Sequence, residues 1–229
     1  MKIILAGNMP PELIKAVEGQ GFEVILSPCN PNVASGLSYH PDMQLASING
    51  VFVCEKSLYN YYRSALGPNV KLEMGATELF CNYPGDIAYN IKVIQNKVFH
   101  NFKHTDPQIM VHAKGMELVD VSQGYSGCSI CAVGRNAIIT ADKPIDCKAI
   151  EAGVDSLLIQ PGYISLPGYD YGFVGGASFC ANNTVYFFGN IKYHPDCKQI
   201  EDFCNRHNVA ILSLAECPLV DYGSAITID

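Results

Sequence analysis

His40-Pro41-Asp42, Cys128 behind a glycine-rich step, and Asp86 and Asp221 beside glycines are the residues of this sequence best equipped for chemistry. An imidazole titrates near neutrality and can carry a proton to a departing nitrogen. A thiol, once deprotonated, attacks electron-poor carbon. Aspartates pair in bidentate fashion with planar cations. The tripeptide His40-Pro41-Asp42 has a twin, His194-Pro195-Asp196. The twin opens a helical stretch over 197–208, where Pro suits the first turn and Asp the positive end, so its expected role is structural. Position in the fold, not tripeptide identity, must therefore carry the argument. Residues 40 and 42, in an extended segment, share one strand face and can point into one cavity. Cys128-x-x-Cys131 is the one CxxC among ten cysteines, and with no second pair it is a poor zinc motif.

The elements that would position these groups repeat along the chain. From Gly124, residues 125–133 and 137–140 read as two β-type runs, 144–153 as a helix with Pro at its start and Gly at its end, and 154–159 as a third strand. The same β-β-α-β order recurs over about 34–74, 85–122 and 175–215. The leftovers complement each other: 221–229 supplies an orphan first strand, and 1–27 an orphan β-α-β. Joined, they make a fifth unit. The fold expected is α/β, a five-unit ββαβ ring in one domain over 1–229, with both termini in one sheet. A ring of this kind leaves no open edge between its first and last units. The first strands, near 37–46, 86–93, 125–133, 175–181 and 223–228, should converge on the axis. An open parallel α/β sheet is the alternative that strand–helix alternation allows.

This ring, with His-x-Asp opening one unit, resembles the guanidino-group-modifying superfamily, the pentein β/α-propellers. These include arginine and agmatine deiminases, dimethylarginine hydrolases and amidinotransferases, and the chain looks like an uncharacterised branch. The resemblance implies that His40 is the acid/base and that Asp42 helps hold a guanidinium. Gly124-Tyr125-Ser126-Gly127-Cys128 resembles the Gly-x-x-Cys step of family nucleophiles, one residue longer, so a bulge at Gly127 would be needed to aim Cys128. Asp221-Tyr222-Gly223-Ser224 resembles the acid-Gly-Gly step before the catalytic His, with Asp in place of Glu. Asp86, in Gly85-Asp86-Ile87-Ala88-Tyr89-Asn90, would offer a second anion to a cationic substrate. Ser224-Ala225-Ile226-Thr227 also resembles the His-Cys-x-Thr of agmatine deiminases with Ala225 at the nucleophile, an alignment in which no nucleophile remains. The resemblance thus implies Cys128, His40 and Asp221 as catalytic, Asp42 and Asp86 as substrate-binding, and neither metal nor cofactor. An imidazolium beside Cys128 would lower its thiol pKa.

Two functions stay open. One is amidine C–N hydrolysis or amidino transfer on a small guanidino or amidino cation. The other is a catalytically silent binding protein, like the initiation-factor type with this fold. Charge and composition bear on partners. Net charge is −7 with 15 Lys and Arg, unclustered, which argues against nucleic acid and anionic membrane. With only three arginines, Arg63, Arg135 and Arg206, a clamp for a substrate α-carboxylate is not evident. Scattered cysteines, no apolar leader and no long apolar run lead us to expect a cytoplasmic protein, and a homo-oligomer is open. The segment Pro161–Phe173, with aromatics between Gly hinges, reads either as a lid or as a packed connection between units.

Overall fold

The second strand of each predicted unit is apolar at consecutive positions, and burial on both faces explains why. The computed structural model describes residues 1–228; Asp229, at the end of the fifth predicted unit, lies outside them. Along the chain come β1 (Lys2–Leu5), α1 (Pro11–Glu18), β2 (Glu23–Leu26), the one-turn helix α2 (Pro41–Gln44), β3 (Leu45–Ile48), β4 (Val51–Cys54), α3 (Tyr59–Leu66) and β5 (Leu72–Met74). Then follow β6 (Lys92–Ile94), β7 (Lys97–His100), α4 (Pro107–His112), β8 (Glu117–Asp120), the one-turn helix α5 (Ser126–Ser129), β9 (Cys131–Val133), β10 (Ala137–Thr140), α6 (Lys143–Glu151) and β11 (Asp155–Leu158). The chain closes with β12 (Ser178–Ala181), β13 (Thr184–Phe187), α7 (Cys197–Arg206), β14 (Ala210–Ser213) and β15 (Ile226–Ile228).

These strands form five three-stranded sheets, β3-β4-β5, β6-β7-β8, β9-β10-β11, β12-β13-β14 and β15-β1-β2. In each the first pair is antiparallel and the second parallel; the helix provides the crossover that parallel pairing requires. The last sheet joins the two ends of the chain, with Lys2 opposite Ile228 and Ile4 opposite Ile226. Helix starts follow local chemistry: Asp142 accepts from Ile145 N at 2.9 Å and Asp106 from Gln108 N at 2.8 Å, each beside a proline in the first turn. Tight turns at Asn49-Gly50 and Asn182-Asn183 have both residues at positive φ, the hairpin geometry that Asn and Gly favour.

Strand periodicity distributes the core. In β1, Ile3 and Leu5 pack with Phe179 of β12, while Ile4 packs with Leu45 and Phe52 of β3 and β4. In β10, Ala137 and Ile139 meet Val185 and Phe187, while Ile138 meets Ile94 and Phe99. In β4, Val53 turns instead toward Tyr89 and Val98. Each buried cluster is thus shared by two sheets. Alternate side chains of a strand point to opposite faces, which is how one strand serves two neighbours.

The first strands are shorter than the sequence predicts. Residues 126–129 and 41–44 are helical turns, not strand. His40 takes the extended backbone of a residue before proline (φ −65°, ψ 116°), and Pro41 then starts one turn of helix. Ser129 N donates to Tyr125 O at 2.9 Å and Ile130 N to Ser126 O at 3.1 Å, so a helical turn at 126–129, not a strand bulge at Gly127, orients Cys128. Residues 87–90 likewise form a turn before β6, with Asn90 N on Ile87 O at 2.9 Å.

Candidate functional site

These turns sit at one end of a cavity of about 300 Å³ that takes Ala46, Val93, Ala132, Phe179 and Ile226, one residue from each first strand, in its wall. Asp42 and Gly127 line it too. Asp42 follows Pro41 in the first turn of α2, and Cys128 lies in α5. The Cys128 Sγ donates to Asp42 Oδ2 at 2.9 Å, a contact between residues 86 positions apart. His40 brings a ring nitrogen into the same group: one ligand-type atom from each of His40, Asp42 and Cys128 lies within 4.8 Å of the others. Such a set of one N, one O and one S could ligate a borderline divalent ion. His40 Nδ1 stands 3.8 Å from Asp221 Oδ1, beyond hydrogen-bond reach, and has no partner.

Asp221 is held by backbone. Its carboxylate accepts from Phe173 N at 2.8 Å and Gly223 N at 2.9 Å. Glycine is required around it: a β-carbon on Gly176 would sit 1.9 Å from Asp221 Oδ1, and one on Gly223 would sit 2.3 Å from His40 Cβ.

Sequence reasoning missed Asn90. Its Oδ1 accepts from Gly127 N at 2.7 Å and Cys128 N at 3.3 Å, and its Nδ2 donates to Cys128 Sγ at 3.3 Å and Asp42 O at 3.2 Å. One buried amide therefore ties the thiol turn to the His-Pro-Asp turn. The one available signal was an Asn closing the Gly85-Asp86 segment, which alone distinguishes nothing. Asp86 lies a layer back from where it was expected: its Oδ2 accepts from Tyr125 O–H at 2.7 Å while Oδ1 has no partner, and Tyr125 rather than Asp86 lines the cavity over Cys128.

Electrostatics follow from burial. Desolvation pushes the His40 imidazole down to about 3, so it is neutral near pH 7 and its approach to Asp221 is not an ion pair. Burial raises Asp42 to about 8, partly offset by the Cys128 hydrogen bond. Burial also raises Asp221, to about 6, against its two N–H donors. The Cys128 thiol is pushed well above its usual range by burial, then by the Asp42 and Asp221 carboxylates. This corrects the expected lowering: the imidazole beside the thiol is uncharged, and the charges that do face it are negative. Asp42, Asp221 and the Cys128 thiol thus lie in a site that favours their neutral forms, and a cation bound there would favour their ionised ones.

Two further cavities open on this constellation. One, of about 220 Å³, is walled by Tyr125, Tyr169, Tyr171 and Phe173 with Cys128 and Asp221. The other, of about 360 Å³, includes His40, Asp221 and Tyr222 and shares Leu166, Tyr169 and Asp221 with the first. The segment 161–173 forms part of both walls and is tied down by Ser165 N on Leu219 O at 2.9 Å and Gly172 N on Ile164 O at 2.7 Å. The twin tripeptide is elsewhere, with the Asp196 carboxylate on Gln160 N and Nε2. Among the described residues, no helix is long and apolar enough to cross a membrane.

Comparison with known proteins follows this geometry. One family, described as "Family of unknown function (DUF6873)", matches residues 4–226. No curated protein matches the sequence. Among solved structures, the chain is similar to SxtG, an amidinotransferase from Microseira wollei in the saxitoxin biosynthetic pathway (9% identity, 100% of this chain and 94% of that one, TM-score 0.60). It is also similar to a mutant DDAH from Pseudomonas aeruginosa complexed with citrulline (9%, 93% and 91%, TM-score 0.59). A third is the agmatine deiminase of C. jejuni (10%, 93% and 87%, TM-score 0.55). At these identities the likeness is one of fold, and the fold is that of the pentein superfamily.

Proposed function

Because the chain belongs to the DUF6873 family, a family of unknown function, its own site is the premise from which we propose that it acts on a guanidino or amidino cation, with Cys128 as nucleophile, on a five-unit pentein ring closed by both termini. The observation that carries this reading is the 2.9 Å Cys128–Asp42 contact with His40 beside it and Asp221 beyond. Three well-separated segments of the chain converge there on a thiol, an imidazole and two carboxyls, with unpartnered atoms on His40 Nδ1 and Asp42 Oδ1. Buried polar atoms are normally satisfied, and unsatisfied ones at a cavity await a partner.

A planar cation placed between Asp42 and Asp221 favours their ionised forms and supplies the donor that Asp42 Oδ1 lacks. Asp42, once ionised, is a base in contact with the thiol. As Sγ bonds to the guanidino carbon, the thiol proton passes to Asp42 Oδ2. Asp221, once ionised 3.8 Å from His40 Nδ1, raises the imidazole from its resting value of about 3, and that proton passes through His40 to the departing nitrogen as the C–N bond breaks. Water, or an incoming amine, then gives a proton to His40 as it attacks the thiouronium carbon, and the sulfur leaves as thiolate to be reprotonated. Asn90 holds the turn that presents Sγ throughout. Fold neighbours that include an amidinotransferase and an agmatine deiminase support the class of reaction.

The test is a trap. Wild-type protein mixed with alkylguanidines and acid-quenched should show an amidino adduct on Cys128 by intact mass and peptide mapping, with release of ammonia or amine. Cys128→Ser should show neither. Release that persists in Cys128→Ser, or a fully silent wild type across guanidines and amidines, rejects the reading in favour of a binding protein.

A further inference from the structure

The cavities above Cys128 have a chemistry of their own. Their side walls are aromatic: Tyr125 and Phe173 stand with ring centroids 6.2 Å apart, and Tyr171 meets Phe173 edge-on at 6.3 Å. Tyr125 is fixed from behind by its hydrogen bond to Asp86. Tyr169 is fixed by close approach to the chain at Gly36, where a β-carbon would lie 2.8 Å from its ring. Every charged side chain in the two linings is an aspartate or the neutral His40: Asp170 at the exposed rim, and Asp221 at the base. Among the described residues, no Lys or Arg lines either cavity. Arg63 is spent on the carbonyls of Gly67, Val70 and Leu72, and Arg206 lies on Asp155. Carboxylates are held by Arg forks or by point charges from Lys, and neither is here. Aromatic faces attract cations and bury apolar tails.

We propose that this mouth selects a monocationic guanidinium or amidinium whose remaining body is apolar and free of carboxylate, an alkyl or aralkyl derivative rather than a guanidino acid. This rests on the reading that the site takes a planar cation, and adds what the rest of the substrate must be. The cation reaches Cys128 past Tyr125 and Phe173 toward Asp221. The tail lies against Tyr169 and Tyr171, in the space the two cavities share beside Leu166. A tail carboxylate would meet Asp170 or Asp221 with no cation to offset the repulsion. The smaller cavity, at about 220 Å³, falls below the roughly 300–1,000 Å³ usual for drug-sized ligands, which limits the tail to a few carbons.

The matched pair n-butylguanidine and 4-guanidinobutyrate tests this, since the two share a guanidinium and a short chain and differ in a terminal carboxylate. Binding is measured by titration calorimetry on full-length Cys128→Ser, which cannot turn over. Butylguanidine should bind at least tenfold more tightly. Tyr171→Ala, at a rim residue 43% exposed, should weaken butylguanidine about threefold, the size of exposing about one methylene of the tail, without moving the melting temperature. Asp170→Lys should narrow the ratio between the pair. If 4-guanidinobutyrate binds as tightly or better, or if neither rim variant changes the butylguanidine affinity or the ratio, the inference falls while the guanidine reading stands. If neither compound binds, both fall.

Discussion

The same three residues occur twice in this chain and do opposite things. His40-Pro41-Asp42 and His194-Pro195-Asp196 share a local backbone: each His is extended before its proline, each His N–H closes a turn three residues back, on Leu37 O at 3.0 Å and Ile191 O at 2.8 Å, and each Asp leads into helix. In the second copy the polar atoms are satisfied. His194 Nε2 meets Gln160 O at 3.2 Å, its Nδ1 accepts from Asp196 N at 3.1 Å, and both Asp196 oxygens hold Gln160. Burial works against the Asp196 carboxylate, yet its Gln160 donors bring it below the ordinary value. In the first copy His40 Nδ1 and Asp42 Oδ1 have no partner, and burial drives both groups toward their neutral forms. A motif whose hydrogen bonds are complete holds the fold; the same motif left incomplete beside a thiol is available to a ligand.

The sharpest way to break this contrast is to remove each aspartate. Asp196→Ala leaves the Gln160 N–H and Nε2 without their carboxylate acceptor and should cost about 1–3 kcal/mol, a fall of roughly 3–10 °C in melting temperature for a chain of this size. Asp42→Asn should cost far less, because it replaces a buried carboxyl whose one oxygen is unsatisfied. Calorimetry or denaturant melts decide it, and equal losses would erase the distinction.

The pH dependence sharpens it. Asp42 is raised to about 8 from an ordinary value near 4, so between those values the folded state holds a proton that the unfolded state has lost. Stability from this group is present below about 4 and falls as pH rises toward 8. His40, lowered to about 3, has the opposite sign, since the unfolded state binds the extra proton, and its contribution is complete above about pH 6.5. Asp221, at about 6, has also finished by then. From pH 6.5 to 8 wild type should therefore lose stability relative to Asp42→Asn, at up to about 1.4 kcal/mol per pH unit, one proton's worth. A flat difference over that window contradicts a neutral Asp42. In the same variant the Cys128 thiolate, followed by its ultraviolet absorbance, should appear at lower pH, because a repelling carboxylate is gone.

A smaller effect is expected at the other turn. A β-carbon on Gly127 would lie 3.0 Å from Asn90 Oδ1 and 3.2 Å from Ile91 O, so Gly127→Ala should cost about 1 kcal/mol. It should also slow Cys128 alkylation, since it loosens the clamp that aims Sγ. Unchanged alkylation would take Asn90 out of the account.

The repeat was legible in the sequence because its second strands, such as Ala137-Ile138-Ile139-Thr140, are buried on both faces and carry no polar alternation. The leftovers at 2–5 and 226–228 were legible because they complement each other, 2–5 being such a second strand and 226–228 a first strand with no second strand after it. The turns at 41–44 and 126–129 were not: four residues show no helical period, and a strand is the natural reading of a segment that runs on into one. Asn90 was invisible because its meaning lies in contacts 37 to 48 residues away. The direction of the Cys128 shift was misread because a sequence shows that an imidazole is near a thiol but not that both are dry.

The central claim is that the first His-Pro-Asp copy builds a thiol site for a planar cation and the second does not. The most direct measurement compares 2-chloroacetamidine with neutral 2-chloroacetamide as alkylating agents, by peptide mass mapping, in wild type, Asp42→Asn and Asp196→Ala. In wild type the cationic reagent should modify Cys128 ahead of the other nine cysteines and faster than its neutral analogue does. That preference should collapse in Asp42→Asn and survive in Asp196→Ala under conditions where the variant remains folded. A preference that is absent in wild type, or that both variants alter alike, would contradict the account.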